Sequence, residues 1–239
     1  MKTRREFLKL CAVLGAGAVI SRYAMPIREV FASATDNLHV VWFQGASDTG
    51  CTMSLLQGAD PDLADVITKF RLSIDFHPAV MIPEGQAATS FLNDAARGQA
   101  PIDLLIIEGS IPMGFFGTVG ELDGKPVTME EWVTKIGAKS KQVLAVGTCA
   151  SFGGVPAAGP NPTGARPVSD LLRGKLVVNV PGCPPNADWI ILTMADMLQG
   201  ITPELDRDNR PVAINASKRL TKVAKVGDVP VGTGRHILT

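Results

Sequence analysis

The chain has 239 residues, of which 46% are hydrophobic and 19% are charged, and its 23 basic residues balance its 23 acidic residues. This composition excludes an intrinsically disordered chain, which combines low hydrophobicity with a high net charge. It also argues against a nucleic-acid partner, because no basic excess is available to neutralise phosphates. The length suits a folded protein with one substantial core.

The first 34 residues have the features of an export signal. Residues 3–9 (TRREFLK) contain two adjacent arginines, and residues 10–20 form an apolar run much shorter than the roughly 20 residues of a membrane span. Residues 32–34 (ASA) then form a small-residue cleavage site. The alternative is a buried N-terminal helix. We predict a twin-arginine signal peptide over residues 1–34 and a location in the periplasm or on the outer face of the cytoplasmic membrane.

Removal of this leader changes the charge of the chain. The leader holds six basic and two acidic residues, so the mature chain keeps 17 basic and 21 acidic residues and carries a net charge of −4. The mature part consists of a predicted domain over residues 35–211 and a short basic tail over residues 212–239. We expect the tail to be solvated, with docking to an acidic redox partner as the alternative.

From residue 38 onward, apolar runs alternate with stretches of helical periodicity. Such alternation predicts an α/β fold with a doubly wound parallel sheet of about five strands, covered by helices on both faces. The Gly98 and Gly200 positions are typical helix ends, and residues 128–131 (TMEE) form a capping box. In chain order, the predicted elements are strand 38–43, helix 62–72, strand 73–81, helix 86–97, strand 103–107, helix 128–140, strand 142–146, strand 175–180 and helix 186–198.

Three cysteines and one carboxylate follow the predicted strands. Cys51 comes a short loop after the first strand, Glu108 ends the third, and Cys149 and Cys183 end the fourth and fifth. Because ligands bind at the carboxyl ends of parallel strands, we expect these four side chains at one edge of the sheet. A surface position for Glu108 is the alternative to a partly buried polar role there.

The mature chain has an odd number of cysteines, since Cys11 leaves with the leader. An odd set cannot pair completely within one chain. Buried core thiols, one disulfide with a spare thiol, and a set of metal ligands are the three interpretations. The shared sheet edge favours metal ligation. By contrast, the spacing of His39, His77 and His236 suggests no ligand pattern, and we expect structural roles for them.

Each of the three cysteines lies within two residues of a glycine, in residues 45–51 (GASDTGC), 146–156 (VGTCASFGGVP) and 180–186 (VPGCPPN). Glycine allows backbone N–H groups to approach closely, and such groups stabilise the negative charge of an iron–sulfur cluster. Thiolates are the usual ligands of these clusters. Glycine at these positions therefore adds to the prediction of an iron–sulfur site.

These segments resemble the small subunit of nickel–iron hydrogenases. That family has a C-x-x-C loop after its first strand, a G-T-C-x-x-x-G-G-x-P-A loop and a P-G-C-P-P-N loop, whose four cysteines hold a proximal 4Fe–4S cluster. Residues 108–112 (EGSIP) and the twin-arginine leader also match. The resemblance covers about residues 38–211. A related subunit of respiratory complex I has adjacent cysteines in its first loop, which this chain lacks.

The resemblance implies a flavodoxin-like fold and an electron-transfer role. Electrons from H2 oxidation would come from a nickel–iron centre in a separate large subunit and leave to a redox acceptor protein or a further electron-transfer subunit. Cys51, Cys149 and Cys183 would be cluster ligands. The residues expected beside the cluster or at the partner interface are Thr49, Gly50, Glu108, Gly147, Thr148 and Gly182.

The sequence departs from the family at Asp48, which replaces the first cysteine of the C-x-x-C pair. A carboxylate can ligate iron, although it is a harder ligand than thiolate and should change the cluster potential. Asp48 as the fourth ligand of a 4Fe–4S cluster, a three-iron cluster with Asp48 unligated, and a lost cluster are the three alternatives. On spacing alone, Asp also suits a turn before Thr49 and Gly50.

The sequence has no cysteine after Cys183. We therefore expect one cluster at most and no C-terminal iron–sulfur domain with medial and distal clusters. Two other functions are compatible with the fold class: a scaffold or binding module without a competent cluster, and a flavin-binding protein whose residues 45–50 would form a phosphate loop.

Overall fold

The computed structural model describes residues 37–59 and 62–213. The predicted leader and nearly all of the predicted tail lie outside these residues. Among the helices that the structure describes, none is long and apolar enough to cross a membrane. The strands are β1 (Leu38–Gln44), β2 (Leu72–Phe76), β3 (Leu104–Glu108), β4 (Thr118–Leu122), β5 (Lys125–Thr128), β6 (Gln142–Val146) and β7 (Val177–Val180). The helices are α1 (Gly50–Leu55), α2 (Leu63–Phe70), α3 (Gly85–Arg97), α4 (Met129–Lys139), α5 (Gly147–Phe152), α6 (Val168–Leu171) and α7 (Ala187–Leu198).

Five strands form one parallel sheet in the order β2-β1-β3-β6-β7. Counted along the chain, this is the 2-1-3-4-5 order of flavodoxin-like sheets, and the order reverses between β1 and β3. The register aligns Gln44 with Glu108, Glu108 with Val146, and Val146 with Val180, so four strands end at one level. The predicted parallel α/β fold is confirmed.

Helices cover both faces of this sheet, as the continuous apolar strands require. One face packs against α1, α2 and α7 through a cluster that includes Leu55, Val66 and Ile190. The other face packs against α3, α4, α5 and α6, and its largest fully buried side chain is Trp132. All five residues of β3 are buried. The sheet is thus a rigid platform whose loops carry the cysteines.

Helix ends follow the chemistry of the cap residues. Thr128 accepts a hydrogen bond from the N–H of Glu131, whose carboxylate accepts one from the N–H of Thr128, which confirms the predicted capping box. Asn186 caps α7 by accepting from the N–H of Asp188. The left-handed Gly98 ends α3.

The second strand is shorter than predicted. The sequence predicts a strand over residues 73–81, but β2 ends at Phe76. The carbonyl oxygen of His77 accepts hydrogen bonds from the N–H groups of Val80 and Met81, which closes a turn instead of continuing a ladder. Pro78 reinforces the break because it has no N–H to donate to a neighbouring strand.

The β4–β5 hairpin and the short helices α1, α5 and α6 were not predicted. The hairpin turns at Asp123 and Gly124, both with positive φ, which is the preferred pair for a two-residue hairpin turn. Trp132 of α4 donates from Nε1 to the carbonyl oxygen of Val119, 2.7 Å away, and so ties the hairpin to the main core.

Candidate metal centre

A cavity of about 480 Å³ opens at the carboxyl edge of the sheet. It lies among the loops that follow β1, β3, β6 and β7, beside the point where the strand order reverses. Its volume falls in the range of cofactor sites, about 300–1,000 Å³. Seven of the residues singled out from the sequence line it: Asp48, Cys51, Gly147, Thr148, Cys149, Gly182 and Cys183. Thr49 and Gly50 directly follow Asp48, and Glu108 is hydrogen-bonded to Ser47 and to the N–H of Cys51.

Cys51 is placed by the first turn of α1. The residue before the helix, Thr49, has a left-handed conformation with φ of 67°, and the side chain of Ser47 accepts a hydrogen bond from its N–H. Asp48 Oδ1 accepts from the N–H of Gly50 at 2.9 Å. This hydrogen-bonded turn is followed directly by α1, and the Cys51 side chain is buried at the cavity wall.

Cys149 is placed by the loop and helix that follow β6. Gly147 has φ of +90°, and a Cβ added to it would lie 2.6 Å from Cys51 Sγ. A Cβ added to Gly154 would lie 2.5 Å from Cys149 Sγ. Both contacts are closer than carbon and sulfur can approach, so only glycine fits beside the two sulfur atoms. The glycines of the GTC and GG segments are therefore explained by steric access to the thiols.

Cys183 is placed by the loop between β7 and α7. Thr148 and Gly182 bond each other twice: the Thr148 N–H donates to the Gly182 carbonyl at 2.8 Å, and the Gly182 N–H donates to Thr148 Oγ1 at 3.1 Å. Ser54 of α1 donates to the Pro185 carbonyl at 2.6 Å. These bonds hold the Cys51, Cys149 and Cys183 loops together as one unit.

Glu108 is fully buried at the end of β3, a deeper position than the sequence predicts. Its Oε1 accepts hydrogen bonds from Ser47 Oγ at 2.9 Å and from the N–H of Cys51 at 3.0 Å. Its Oε2 accepts from Trp42, Gln44 and Thr52. Burial alone would raise the pKa of Glu108, but the bonds from these side chains outweigh it and hold the pKa below its usual range.

The four residues that bind Glu108 from their side chains were not singled out from the sequence. Trp42 and Gln44 lie on β1, Ser47 lies in the loop after it, and Thr52 lies in α1. One signal was available: Gln44 ends the first strand as Glu108 ends the third, and parallel neighbours pair at their ends. The other contacts depend on the path of the loop between β1 and α1, which periodicity does not reveal.

The expected structural roles of two histidines agree with the contacts. His77 is buried and stacks on Trp42 with ring centroids 5.2 Å apart. His39 Nδ1 lies 2.9 Å from a carboxylate oxygen of Asp75. Neither histidine lines the cavity, and His236 lies outside the described residues.

The cavity environment keeps the thiols of the buried Cys51 and the half-buried Cys149 neutral. Burial raises the pKa of the Cys51 thiol far above its ordinary value, and the neighbouring Glu108 raises it further. Burial also raises the pKa of Cys149, more than a hydrogen bond from the Val155 backbone lowers it. A bound metal reverses this balance, because its positive charge deprotonates a coordinating thiol.

All three cysteines are free thiols in the structure. Within residues 37–59 and 62–213, no group of three or more histidine, cysteine or acidic side chains has the spacing to share a single metal ion. An iron–sulfur cluster makes a different demand, because each ligand binds its own iron. The donor set of three thiols and one carboxylate around one glycine-lined cavity fits such a cluster.

One family model and several known proteins match this chain over more than half of its length. Residues 49–197 match the family described as NADH ubiquinone oxidoreductase, 20 Kd subunit. The chain is 38% identical over 230 residues to the periplasmic [NiFeSe] hydrogenase small subunit of Desulfomicrobium baculatum, covering 88% of this chain and 73% of that subunit. It is 32% identical over 209 residues to the hydrogenase-2 small chain of Escherichia coli K12, covering 87% of this chain and 55% of that one.

Solved structures superpose on about 80% of this chain. A reduced, active form of the Ni-Fe-Se hydrogenase from Desulfomicrobium baculatum superposes with a TM-score of 0.67 at 34% identity, covering 80% of this chain and 77% of that chain. The recombinant [NiFeSe] hydrogenase of Desulfovibrio vulgaris Hildenborough superposes with a TM-score of 0.66 at 33% identity, covering 81% of this chain and 77% of that one. In these four comparisons, this chain spans between 55% and 77% of the length of the protein it matches.

Proposed function

This chain belongs to the family of nickel–iron hydrogenase small subunits, the electron-transfer subunits of enzymes that act on H2, and we propose that it relays electrons through an iron–sulfur cluster held by its three cysteine loops. The observation that carries the proposal is the convergence of Cys51, Cys149 and Cys183 on one cavity from three separate segments of the chain. When bound, the cluster would supply a one-electron redox centre. The thiolates of the three cysteines would hold it.

We propose Asp48 as the fourth ligand. It lines the same cavity as the cysteines, and its side chain is exposed there. Oδ1 is engaged by the N–H of Gly50, whereas the described residues provide no hydrogen bond to Oδ2. The turn therefore fixes the orientation of the carboxylate and leaves one oxygen available to iron. A three-iron cluster with Asp48 unligated is the alternative for this corner.

The flavin-binding alternative is disfavoured by the backbone. A phosphate loop needs N–H groups that point at the ligand. In residues 45–51, the N–H groups of Gly45 and Ala46 donate to carbonyl oxygens, and those of Thr49, Gly50 and Cys51 donate to side chains of the protein. Five donors of this loop are thus already used within the chain. Asp48 would also repel a phosphate.

The partner is the hydrogenase large subunit, and the nickel–iron centre belongs to that partner in the proposed enzyme. The surface around the cavity is apolar, as an obligate interface requires. Val155 lines the cavity and is 75% exposed, and the exposed rings of Phe115 and Phe116 stack 4.5 Å apart. Phe116 and Pro156 line a neighbouring hollow. We propose that the large subunit covers this surface.

The predicted leader indicates the cellular compartment in which the protein acts. We propose that residues 1–34 direct the folded chain through the twin-arginine route to the periplasm or the outer face of the cytoplasmic membrane, together with its partner. The named relative from Desulfomicrobium baculatum is periplasmic. The domain over residues 35–211 would hold the cluster, and the electron acceptor would be a redox protein or a further subunit.

Iron and acid-labile sulfide content tests the proposal on protein co-produced with its large subunit. The nickel–iron centre of the large subunit contributes about one further iron, so we expect about five irons per heterodimer in the wild type and in Asp48→Cys, with a changed spectrum of the reduced cluster in the variant. About four irons per heterodimer and a signal in the oxidised state would mean that Asp48 is not a ligand. Protein without acid-labile sulfide would refute the cluster and leave the scaffold function; a yellow protein would indicate flavin.

A further inference from the structure

Glu108 is an unusual residue for the interior of a sheet. Its side chain is fully buried, and the neighbouring positions in the register are Gln44 and Val146. Burial of a carboxylate is costly unless it is paired or fully hydrogen-bonded. Among the ion pairs of the described residues, none involves Glu108. The carboxylate is held by neutral donors alone.

The donors to Glu108 come from two parts of the chain. Two are side chains of β1, Trp42 and Gln44, each 3.0 Å from Oε2. Three belong to the loop and helix that carry Cys51: Ser47 Oγ, Thr52 Oγ1 and the backbone N–H of Cys51 itself. One carboxylate therefore joins the ends of β1 and β3 to the first cysteine of the site.

The hydrogen bonds favour an ionised carboxylate. Three of the five donors, those of Trp42, Gln44 and Cys51, are N–H groups, which cannot accept a proton in return. The hydroxyl groups of Ser47 and Thr52 can donate or accept, and both donate to an ionised carboxylate. The structure thus holds a negative charge that is hydrogen-bonded to the backbone of Cys51.

We propose that Glu108 is a positioning residue for the metal centre: it fixes Cys51 in register with Cys149 and Cys183 and places a fixed negative charge that lowers the reduction potential of the cluster. This inference rests on the proposed function. The potential of an iron–sulfur cluster depends on nearby charge, hydrogen bonding and burial. A buried charge acts strongly because the surrounding dielectric constant is low and solvent does not screen it.

Two substitutions at Glu108 separate the effect of side-chain length from the effect of charge. Glu108→Gln keeps the length of the side chain and removes the charge. Its remaining oxygen can still accept from the Cys51 N–H, but the N–H donors of Trp42 and Gln44 lose their acceptor. Glu108→Asp keeps the charge and shortens the side chain by one methylene, so that it cannot contact Cys51 and Trp42 together. Thr52→Val is the matched control, since it removes one hydrogen bond to Glu108 but neither the charge nor the bond to Cys51.

The experiment measures iron content, the rate of iron loss to a chelator and the reduction potential from an EPR-monitored redox titration, all on the complex with the large subunit. We expect Glu108→Gln to retain iron and shift the potential to more positive values. We expect Glu108→Asp to lose iron several-fold faster than the wild type. Thr52→Val should shift the potential less than Glu108→Gln does.

Each contrary result has a separate meaning. A Glu108→Gln complex with full iron and the wild-type potential would overturn the electrostatic role. A Glu108→Asp complex that loses iron at the wild-type rate would overturn the positioning role. If Glu108→Gln does not assemble, Glu108→Asp and Thr52→Val decide the positioning role: equal rates of iron loss from these two complexes would overturn it, because only Glu108→Asp breaks the contact with Cys51. Wild-type complex without iron would instead refute the proposed function itself.

Discussion

Gly147 is under a tight steric constraint at the candidate site. Substitution by alanine would place a Cβ 2.6 Å from Cys51 Sγ on a backbone with φ of +90°. Strain from the positive φ costs about 1–2 kcal/mol. Overpacking against the sulfur adds about 1–3 kcal/mol, because Cys51 is buried and its side chain has one torsion with which to move away. We therefore expect Gly147→Ala to lower the free energy of unfolding by about 2–5 kcal/mol.

Gly174 supplies a matched control for this substitution. Its φ is +84°, close to that of Gly147, but no atom lies within 4 Å of an added Cβ. Gly174→Ala should therefore show the backbone strain alone, about 1–2 kcal/mol. Urea unfolding of the mature chain measures both costs. Iron content of the complex with the large subunit should fall in Gly147→Ala, because Cys51 Sγ must move, and should not change in Gly174→Ala. Equal destabilisation of the two variants with full iron in both would refute the steric reasoning.

Two further predictions concern the partner surface and the pH dependence of stability. Phe116→Ala should weaken assembly with the large subunit by about 1–3 kcal/mol without lowering the stability of the chain, because the ring is 55% exposed beside the cavity. The control is Leu176→Ala, a side chain that is 48% exposed and lies before β7. Titration of one subunit with the other measures the affinity, and equal affinities for the two variants would contradict the assigned surface. Burial raises the pKa of Asp103, but hydrogen bonds from Lys141 and the N–H of His39 outweigh it and lower the pKa below its usual value of about 3.9. The stabilisation by the Asp103 carboxylate is therefore fully present above about pH 3.9 and is lost as the pH falls through the lowered pKa. The difference in unfolding free energy between the wild type and Asp103→Asn should shrink below about pH 4, as measured by urea titrations at several pH values. A difference that stays constant down to about pH 2 would refute this assignment.

The parallel sheet and the position of the three cysteines at one edge of it could be predicted, because both follow from the periodicity of apolar residues along the chain. Buried parallel strands are near-continuous apolar runs, as in residues 104–107, and their carboxyl ends necessarily share an edge. That rule predicts from the sequence alone that Cys51, Cys149 and Cys183 lie together. Capping chemistry located Thr128 for a similar reason, since its contacts are local in sequence.

The parts that could not be predicted depend on contacts between distant segments. The burial of Glu108 follows from donors on β1 and α1, which are more than 50 residues away in sequence. The end of β2 depends on a turn at His77 that an apolar run through Met81 conceals. The hairpin at Asp123 and Gly124 had a recognisable turn signal, but its strands are too short and too exposed to show a clear alternation.

EPR of the purified complex under H2, compared with the same complex under argon, tests the electron-relay function most directly. We predict that H2 produces the signal of a reduced iron–sulfur cluster in the wild type, and that this signal is lost or strongly altered in Cys149→Ser. A wild-type complex that oxidises H2 while its spectrum remains identical to that of Cys149→Ser would contradict the assignment of the electron relay to these cysteine loops.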